Sequence, residues 1–324
     1  MRKPIHIAIV QAPPVFLNKE ASTRRACQFI FRAAEEKVQV LVFPETWLVG
    51  YPVWLDFAPE AGLWDHPPAK ALYRILFEQA VQIGDSCMDL LQQAVDQTGL
   101  TLVMGVHERR RSSLYNSMLF FNPEKPPGVH RKLMPTYTER LIWGRGDGST
   151  LHVMESAYGQ IGGLICWEHW MPLARAAMHA KGEVLHIAQW PMVKEMNLIA
   201  SRHYAFEGQC FVAAAGGILH KDDVFTGLES LGENNQGLLT FLQRMKPDSD
   251  GYFLSGGSGV IAPCGSMVAG PADTSQDLVK AIIDPNTLAE GRLFLDTDGH
   301  YSRPDVFELT VRTQAQSGVK FDEA

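Results

Sequence analysis

Apolar residues recur along this chain with two periods that alternate. Runs rich in Val and Ile at 5–10, 40–43 and 100–106 read as strands. Between them stand segments at 20–37 and 69–97 whose apolar positions return with the spacing of one helix face. That alternation predicts an α/β protein. In the middle, 115–121 and 128–133 flank the connection Asn122-Pro123-Glu124-Lys125-Pro126-Pro127, which predicts an antiparallel hairpin. The pattern resumes with strands at 161–165, 184–188 and 210–215, a helix opened by Pro172 and stopped at Lys181-Gly182, and a helix at 193–207. Strands at 256–262, 267–269 and 278–283 complete it. The segment 216–257 is polar, Gly-rich and weakly periodic, and reads as a long loop, either functional or a solvated insertion.

No repeat of solenoid length and no low-complexity linker interrupts the sequence, so a single domain over 1–324 is expected. With 46% apolar and 20% charged residues, such a chain can bury a large core. A net charge of −7, with no like-charge block longer than Arg109-Arg110-Arg111, speaks against nucleic acid as a partner. The N-terminal apolar run is too short for a secretory signal, and no stretch reaches the roughly 18 to 20 apolar residues of a membrane span. Five scattered cysteines without CxxC spacing suit a reducing compartment, and a cytoplasmic location is expected. Cys27, Cys87, Cys210 and Cys264 read as packing or turn residues.

Three segments could carry chemistry. Val42-Phe43-Pro44-Glu45 ends an apolar strand in a carboxylate, where open α/β sheets place ligands and where apolar neighbours would raise its pKa toward that of a general base. His130-Arg131-Lys132-Leu133 closes the hairpin with a lysine able to stabilise a developing anion. Gly162-Gly163-Leu164-Ile165-Cys166-Trp167-Glu168 delivers a thiol to a strand–helix junction, where backbone N–H groups and a nearby cation would lower its pKa. Taken singly, each has a plain alternative: a solvated strand-end glutamate, a surface lysine, a buried structural cysteine.

Together and in this order, Phe43-Pro44-Glu45, His130-Arg131-Lys132-Leu133 and Cys166-Trp167-Glu168 resemble the Glu-Lys-Cys triad motifs of the nitrilase superfamily, and the resemblance runs from Ile5 to Pro304. Gly50-Tyr51-Pro52, Met171-Pro172 and Gly299-His300-Tyr301-Ser302-Arg303-Pro304-Asp305 resemble its nitrilase branch in particular. The resemblance implies a four-layer α-β-β-α sandwich and a catalytic set of Glu45, Lys132 and Cys166, with Glu139 as a second glutamate that holds Lys132. It further implies a small-molecule nitrile as substrate and a homo-oligomer, a dimer that can extend into spirals. The segment from about 285 would serve in assembly, although the chain ends soon after Pro304, which argues against filaments.

By adjacency to the motifs, Tyr51, Trp167, Trp190 and His169 are the candidates for the substrate pocket, with Trp47 and Trp54 as further aromatic neighbours. His130 reads as structural. Neither a metal nor another cofactor is expected: Asp296, Asp298 and His300 make no convincing ligand set, and neither a GxGxxG nor a P-loop is present. The rival readings are an amidase or carbamoylase with the same triad, a cyanide-converting enzyme, and a non-catalytic binding or assembly protein. A papain-like protease would need a downstream histidine, yet His179, His186 and His203 lack any protease signature.

Overall fold

Strict alternation of side chains along the strands divides the interior into layers. In the computed structural model, which describes residues 3–316 and 319, the order is β1 (Ile5–Val10), α1 (Lys19–Glu35), β2 (Val40–Val42), α2 (Trp54–Phe57), α3 (Pro67–Gln79), α4 (Ser86–Thr98), β3 (Thr101–Arg110), β4 (Ser113–Asn122), β5 (Lys125–Arg131), β6 (Val153–Ser156) and β7 (Gly159–Ile165). There follow α5 (Pro172–His179), β8 (Leu185–Trp190), α6 (Glu195–Gly208), β9 (Phe211–Gly216), β10 (Ile218–His220), α7 (Lys221–Ser230), α8 (Gln236–Gln243), β11 (Tyr252–Ser255), β12 (Gly259–Ile261), β13 (Met267–Ala269), β14 (Leu278–Ile283) and α9 (Leu288–Arg292). The outermost residues of the predicted 1–324 domain, 1, 2, 317, 318 and 320–324, lie outside the described residues.

Two six-stranded sheets form, in the orders β14-β1-β2-β3-β4-β5 and β13-β12-β9-β8-β7-β6. Each has three parallel strands at its centre, β1, β2 and β3 in one and β7, β8 and β9 in the other, with antiparallel strands outside them. Ile5, Ile7, Ile9, Val42, Val103 and Phe120 point into the cluster shared with Ile161, Leu164 and Ile187 of the second sheet. The alternate positions Ala8, Val10, Leu41, Leu102 and Leu119 face the other way, onto Ala26, Ile30, Leu91 and Val95 of α1 and α4. On the far side α5 and α6 cover the second sheet through Ala174, Met178, Ala200 and Tyr204. The result is the expected α-β-β-α sandwich.

The structure differs from the sequence reading in three places. The 69–97 region is two helices, not one: Val81 bridges to Glu108, Gly84 takes a left-handed φ of 85°, and the Asp85 carboxylate caps α4 by accepting from Cys87 N and Met88 N. In the hairpin the turn is Pro123-Glu124, while Pro126 and Pro127 sit within β5. They are tolerated because β5 is an edge strand with one ladder neighbour.

The largest correction concerns 216–257, which is not a loop. It folds as β10, α7, α8 and β11, and its apolar residues Val224, Leu228, Leu238, Phe241 and Phe253 pack with Phe16, Trp54, Leu72 and Leu76 into a third buried cluster. Their spacing was masked by the intervening polar residues. Leu228→Ala is therefore expected to destabilise the protein by about 2–5 kcal/mol in urea unfolding, as for a buried leucine. A change within about 0.5 kcal/mol would mean a solvated insertion after all.

Candidate active site

Strand register brings distant segments to one edge. Val42 of β2 pairs with Val103, Val106 with Ser117 of β4, and Ser117 with Arg131 of β5. Two antiparallel steps restore the original direction, so β5 runs parallel to β2 and β3. Glu45, just beyond Val42, and Lys132, just beyond Arg131, thus leave the first sheet at the same edge. On the facing edge of the second sheet β7 ends at Ile165, and Cys166 opens a short 3-10 turn, Cys166–Trp170, leading into α5. The Gln189 amide of β8 donates to the Phe43 carbonyl at 2.7 Å and ties the two edges together.

The backbone is specialised where these segments meet. Thr46 and Cys166 take left-handed φ values of 50° and 54°, a conformation that costs energy for residues other than glycine and turns the adjoining side chains inward. A Cβ on Gly105 of β3 would meet the Pro44 carbonyl oxygen at 2.1 Å, so glycine is needed for the Glu45 turn to lie against that strand.

Lys132 is fully buried, and its Nζ donates to Glu45 Oε1 at 3.0 Å and to Glu139 Oε2 at 2.6 Å. Glu139 lies in a 3-10 turn, Tyr137–Leu141, where its carboxylate also accepts from Thr136 N at 2.6 Å and from the Tyr51 hydroxyl at 3.2 Å. Asn116 Nδ2 donates to Glu45 Oε1 at 2.6 Å, and buried Glu45 Oε2 has no hydrogen-bond partner among the described residues. Acceptor atoms of Glu45, Glu139 and Cys166 all lie within 4.8 Å of one another. Three such groups could hold a metal ion, but the cation they already face is the Lys132 ammonium.

Burial sets the titration of this cluster. It raises Glu45 to about 7, against the pull of Lys132 and reinforced by the charge of Glu139. Burial opposes the charge of Lys132, yet Cys166, Glu45 and Glu139 outweigh it and hold the ammonium well above the ordinary lysine value. The Cys166 thiol moves opposite to the sequence expectation. Burial and the charge of Glu45 push it well above the ordinary thiol range, and Lys132 together with Trp167 N–H only partly compensates. The thiol is consequently protonated at rest, and a base must take its proton as it reacts. Glu45, poised near neutrality, has the protonation range such a base needs.

Glu168 braces the site from below. Its buried carboxylate accepts from Leu133 N at 2.7 Å and Ile165 N at 2.6 Å, and pairs with His130 at 2.9 Å, so it links the residues that follow Lys132 and precede Cys166. Burial alone would raise its pKa, but His130 and the two backbone donors bring it below the ordinary range. His130 is fully buried within this brace, with its other nitrogen on the Thr150 carbonyl.

A cavity of about 800 Å³ opens above Cys166 and Glu139. Its walls are mostly apolar: Met134, Tyr137, Trp167, Trp170, Met192 and Leu254, with Asp56, Arg140 and Asn197 as polar points. Tyr51 and Trp167, expected in the pocket, line it. Trp190 and His169, also expected there, do not. Both are buried behind the nucleophile turn, where their rings stack at 4.8 Å and Trp190 Nε1 donates to Ser201. Adjacency along the chain misplaced them: the side chain of a strand's last residue, as Trp190 is, can face either layer, and His169 lies on the face of the Cys166–Trp170 turn that packs on the helical layer. Trp47 and Trp54 are core residues. Asn116 escaped the sequence reading, although a polar residue inside the apolar run of β4 was the available signal.

Residues 6–293 match the family model described as carbon-nitrogen hydrolase. The chain is 36% identical to an aliphatic nitrilase of Sinorhizobium fredii (strain HH103), over 96% of this chain and 97% of the relative, and 36% identical to a bifunctional nitrilase/nitrile hydratase of Lupinus angustifolius, over 99% and 89%. Among solved structures it resembles Saccharomyces cerevisiae Nit3, described as a member of branch 10 of the nitrilase superfamily, with a TM-score of 0.67, 19% identity and coverage of 95% of this chain and 98% of that one. The fold seen here is the fold of that superfamily, and the chain belongs to the carbon-nitrogen hydrolases.

Proposed function

We propose that this protein is a nitrilase that hydrolyses an organic nitrile to the carboxylic acid and ammonia, with Glu45, Lys132, Cys166 and Glu139 as its catalytic residues. The observation that carries the reading is the buried convergence of a raised-pKa glutamate, a doubly paired lysine and a strained cysteine, with Cys166 and Glu139 lining an apolar cavity. The long identity with an aliphatic nitrilase supports the nitrile in preference to the amide.

The chemistry follows from these positions. Glu45 Oε2 takes the thiol proton as Sγ adds to the nitrile carbon and passes it to the nitrogen, which gives a thioimidate and leaves Glu45 ionised again. Water, deprotonated by Glu45, adds to the same carbon. Glu45 returns that proton to the nitrogen, the hydroxyl proton follows it as the C=O bond forms, and the C–N bond breaks to release ammonia and leave a thioester. A second water cleaves the resulting thioester, forming the acid and restoring the thiol, so that one nitrile and two waters give one acid and one ammonia. Lys132 stabilises the negative charge of each addition step, a fixed donor of a kind worth roughly a hundredfold or more in rate. Glu139, anchored by Thr136 N and Tyr51, keeps Lys132 in place. Covalent catalysis of this type divides one difficult hydrolysis into easier steps.

The same reading includes a homo-oligomer, supported by the exposed apolar side chains Leu173, Met196, Ile199 and Phe206 on α5 and α6, with the segment beyond 285 contributing to assembly. It places the protein in the cytoplasm, which suits free cysteines at all five positions. Among the described residues no helix is long and apolar enough to cross a membrane.

Ammonia release from a panel of aliphatic, arylaliphatic and aromatic nitriles, run beside their amides, tests the assignment. Turnover of nitriles that disappears in Cys166→Ala is expected. Turnover of amides alone would transfer the protein to the amidase branch. Release of part of the product as amide would align it with the bifunctional relatives.

A pH profile tests the base. Glu45 is raised to about 7, so below that value it is protonated and cannot accept the thiol proton. The expected result is a kcat/KM that falls about tenfold per pH unit once pH drops below about 7. A rate that stays flat well into the acid range would remove Glu45 from the role.

A further inference from the structure

Behind the nucleophile lies a row of buried polar groups that the proposed mechanism does not use. His169 Nδ1 contacts the Cys166 carbonyl oxygen at 2.7 Å, His169 Nε2 contacts His186 Nε2 at 3.0 Å, His186 Nδ1 contacts Glu183 Oε1 at 2.8 Å, and the Tyr204 hydroxyl donates to Glu183 Oε2 at 2.5 Å. All four side chains are at most 2% exposed.

The proton positions follow from the first contact. A carbonyl oxygen can only accept, so His169 Nδ1 carries hydrogen. In a neutral ring Nε2 is then a lone pair, and the next contact requires hydrogen on His186 Nε2. His186 Nδ1 is therefore also a lone pair, and its contact with Glu183 requires one more hydrogen. That last proton could make His186 an imidazolium beside a carboxylate, or it could sit on the Glu183 carboxyl.

Burial decides between the two, because separating charge here would cost far more than a neutral hydrogen bond. Tyr204 covers His186 with a ring stacked at 3.6 Å, and Glu183 Oε1 is pressed onto Gly162, where a Cβ would lie 1.9 Å away. Both titrations agree: burial raises Glu183 to about 8 and drives His186 well below its ordinary value. The other titratable groups facing the row do not reverse this balance. His179 and Lys181 act to lower Glu183; His130 and His179 lower His186 and Glu168 raises it; Arg175 lies near His169. Cys210 lies near Glu183 and Tyr204.

We propose that Glu183 is a positioning residue kept in its acid form, whose proton sets the tautomers of His186 and His169 and so holds the Cys166 carbonyl, fixing the strained nucleophile turn. The inference rests on the nitrilase reading for its effect on rate, though not for the protonation itself. When Glu183 loses its proton, its carboxylate can only accept, so the hydrogen of His186 moves from Nε2 to Nδ1 to face it. His186 Nε2 becomes an acceptor, His169 must donate from Nε2, and a lone pair on Nδ1 then faces the Cys166 oxygen. One proton shifts across each ring, one leaves to solvent, and the bond to the nucleophile turn is lost.

Glu183→Gln and Glu183→Leu separate the possibilities. The glutamine amide donates to His186 and accepts from Tyr204 without titrating. Wild type should lose kcat as pH rises through about 8, Glu183→Gln should keep its neutral-pH kcat and lack that alkaline loss, and Glu183→Leu should lose about ten- to a hundredfold in kcat at unchanged KM. Infrared difference spectra of wild type against Glu183→Gln at neutral pH should show a protonated carboxylic acid that only wild type contains, a readout independent of activity and of the leucine variant's folding. An ionised carboxylate in that difference, or an alkaline loss identical in wild type and Glu183→Gln, would overturn the proposal. If no nitrile is turned over, the nitrilase reading fails, while the infrared measurement still decides the protonation.

Discussion

The rest of the structure depends on placing one ammonium group where water does not reach. An isolated lysine taken out of water would give up its charge, because the cost of burying an unpaired ion greatly exceeds the stabilisation a fold can supply. Lys132 keeps its charge because two carboxylates, contributed by β2's exit loop and by the Tyr137–Leu141 turn, meet its Nζ directly. Burial above all, reinforced by the second acid that faces the same cation, pushes Glu45 up to about 7. The basicity the reaction needs is thus a by-product of the solution to burying Lys132. The same burial, with the charge of Glu45, raises the Cys166 thiol, so in the proposed reaction Glu45 and Cys166 exchange a proton and the cysteine does not rest as a thiolate beside a cation.

That arrangement can be traced back to registers set by plain hydrophobic alternation. A slip of one residue in β5 would turn His130 and Lys132 to the opposite layer. The pairing of Ser117 with Arg131 extends the long β3–β4 ladder, whose register is guarded by the large apolar side chains that β3 and β4 send into both neighbouring layers. The core therefore does for the site what no local hydrogen bond could: it holds segments 87 residues apart, Glu45 and Lys132, within contact of each other.

Much of this could be read from the sequence because its signals are local. The strands Met267–Ala269 and Leu278–Ile283, the Pro172 helix start and the triad segments all announce themselves in a few consecutive residues. What escaped depends on distant partners. The helices of 216–257 are amphipathic only with respect to a cluster built from Phe16, Trp54 and Leu72, more than a hundred residues away in the chain. Trp190 and His169 sit beside motif residues in sequence but face the helical layer in space. The direction of the Cys166 shift could not be foreseen either, because the sequence suggested a cation nearby without showing how completely the thiol is buried, and burial is the largest cause of its rise.

Two buried Glu–His pairs flank the nucleophile turn, and the comparison between them shows how the fold assigns charge. Glu168 faces His130 and receives two backbone N–H groups, from Leu133 and Ile165, so its ionised form is well solvated by fixed donors and its pKa falls. His130, with the Thr150 carbonyl at its other nitrogen, is correspondingly raised. Glu183 faces His186 with no backbone donor among its contacts, only the Tyr204 hydroxyl, and its pKa rises. The residue types are the same and both pairs are buried; what separates them is that Glu168 has the charge of His130 and, after it, two backbone N–H groups, whereas His186 is driven toward its neutral form beside Glu183. On one side of Cys166 the fold therefore has a charged brace that locks the strand end to the Lys132 loop, and on the other a neutral one that adds no field to a site already crowded with charge.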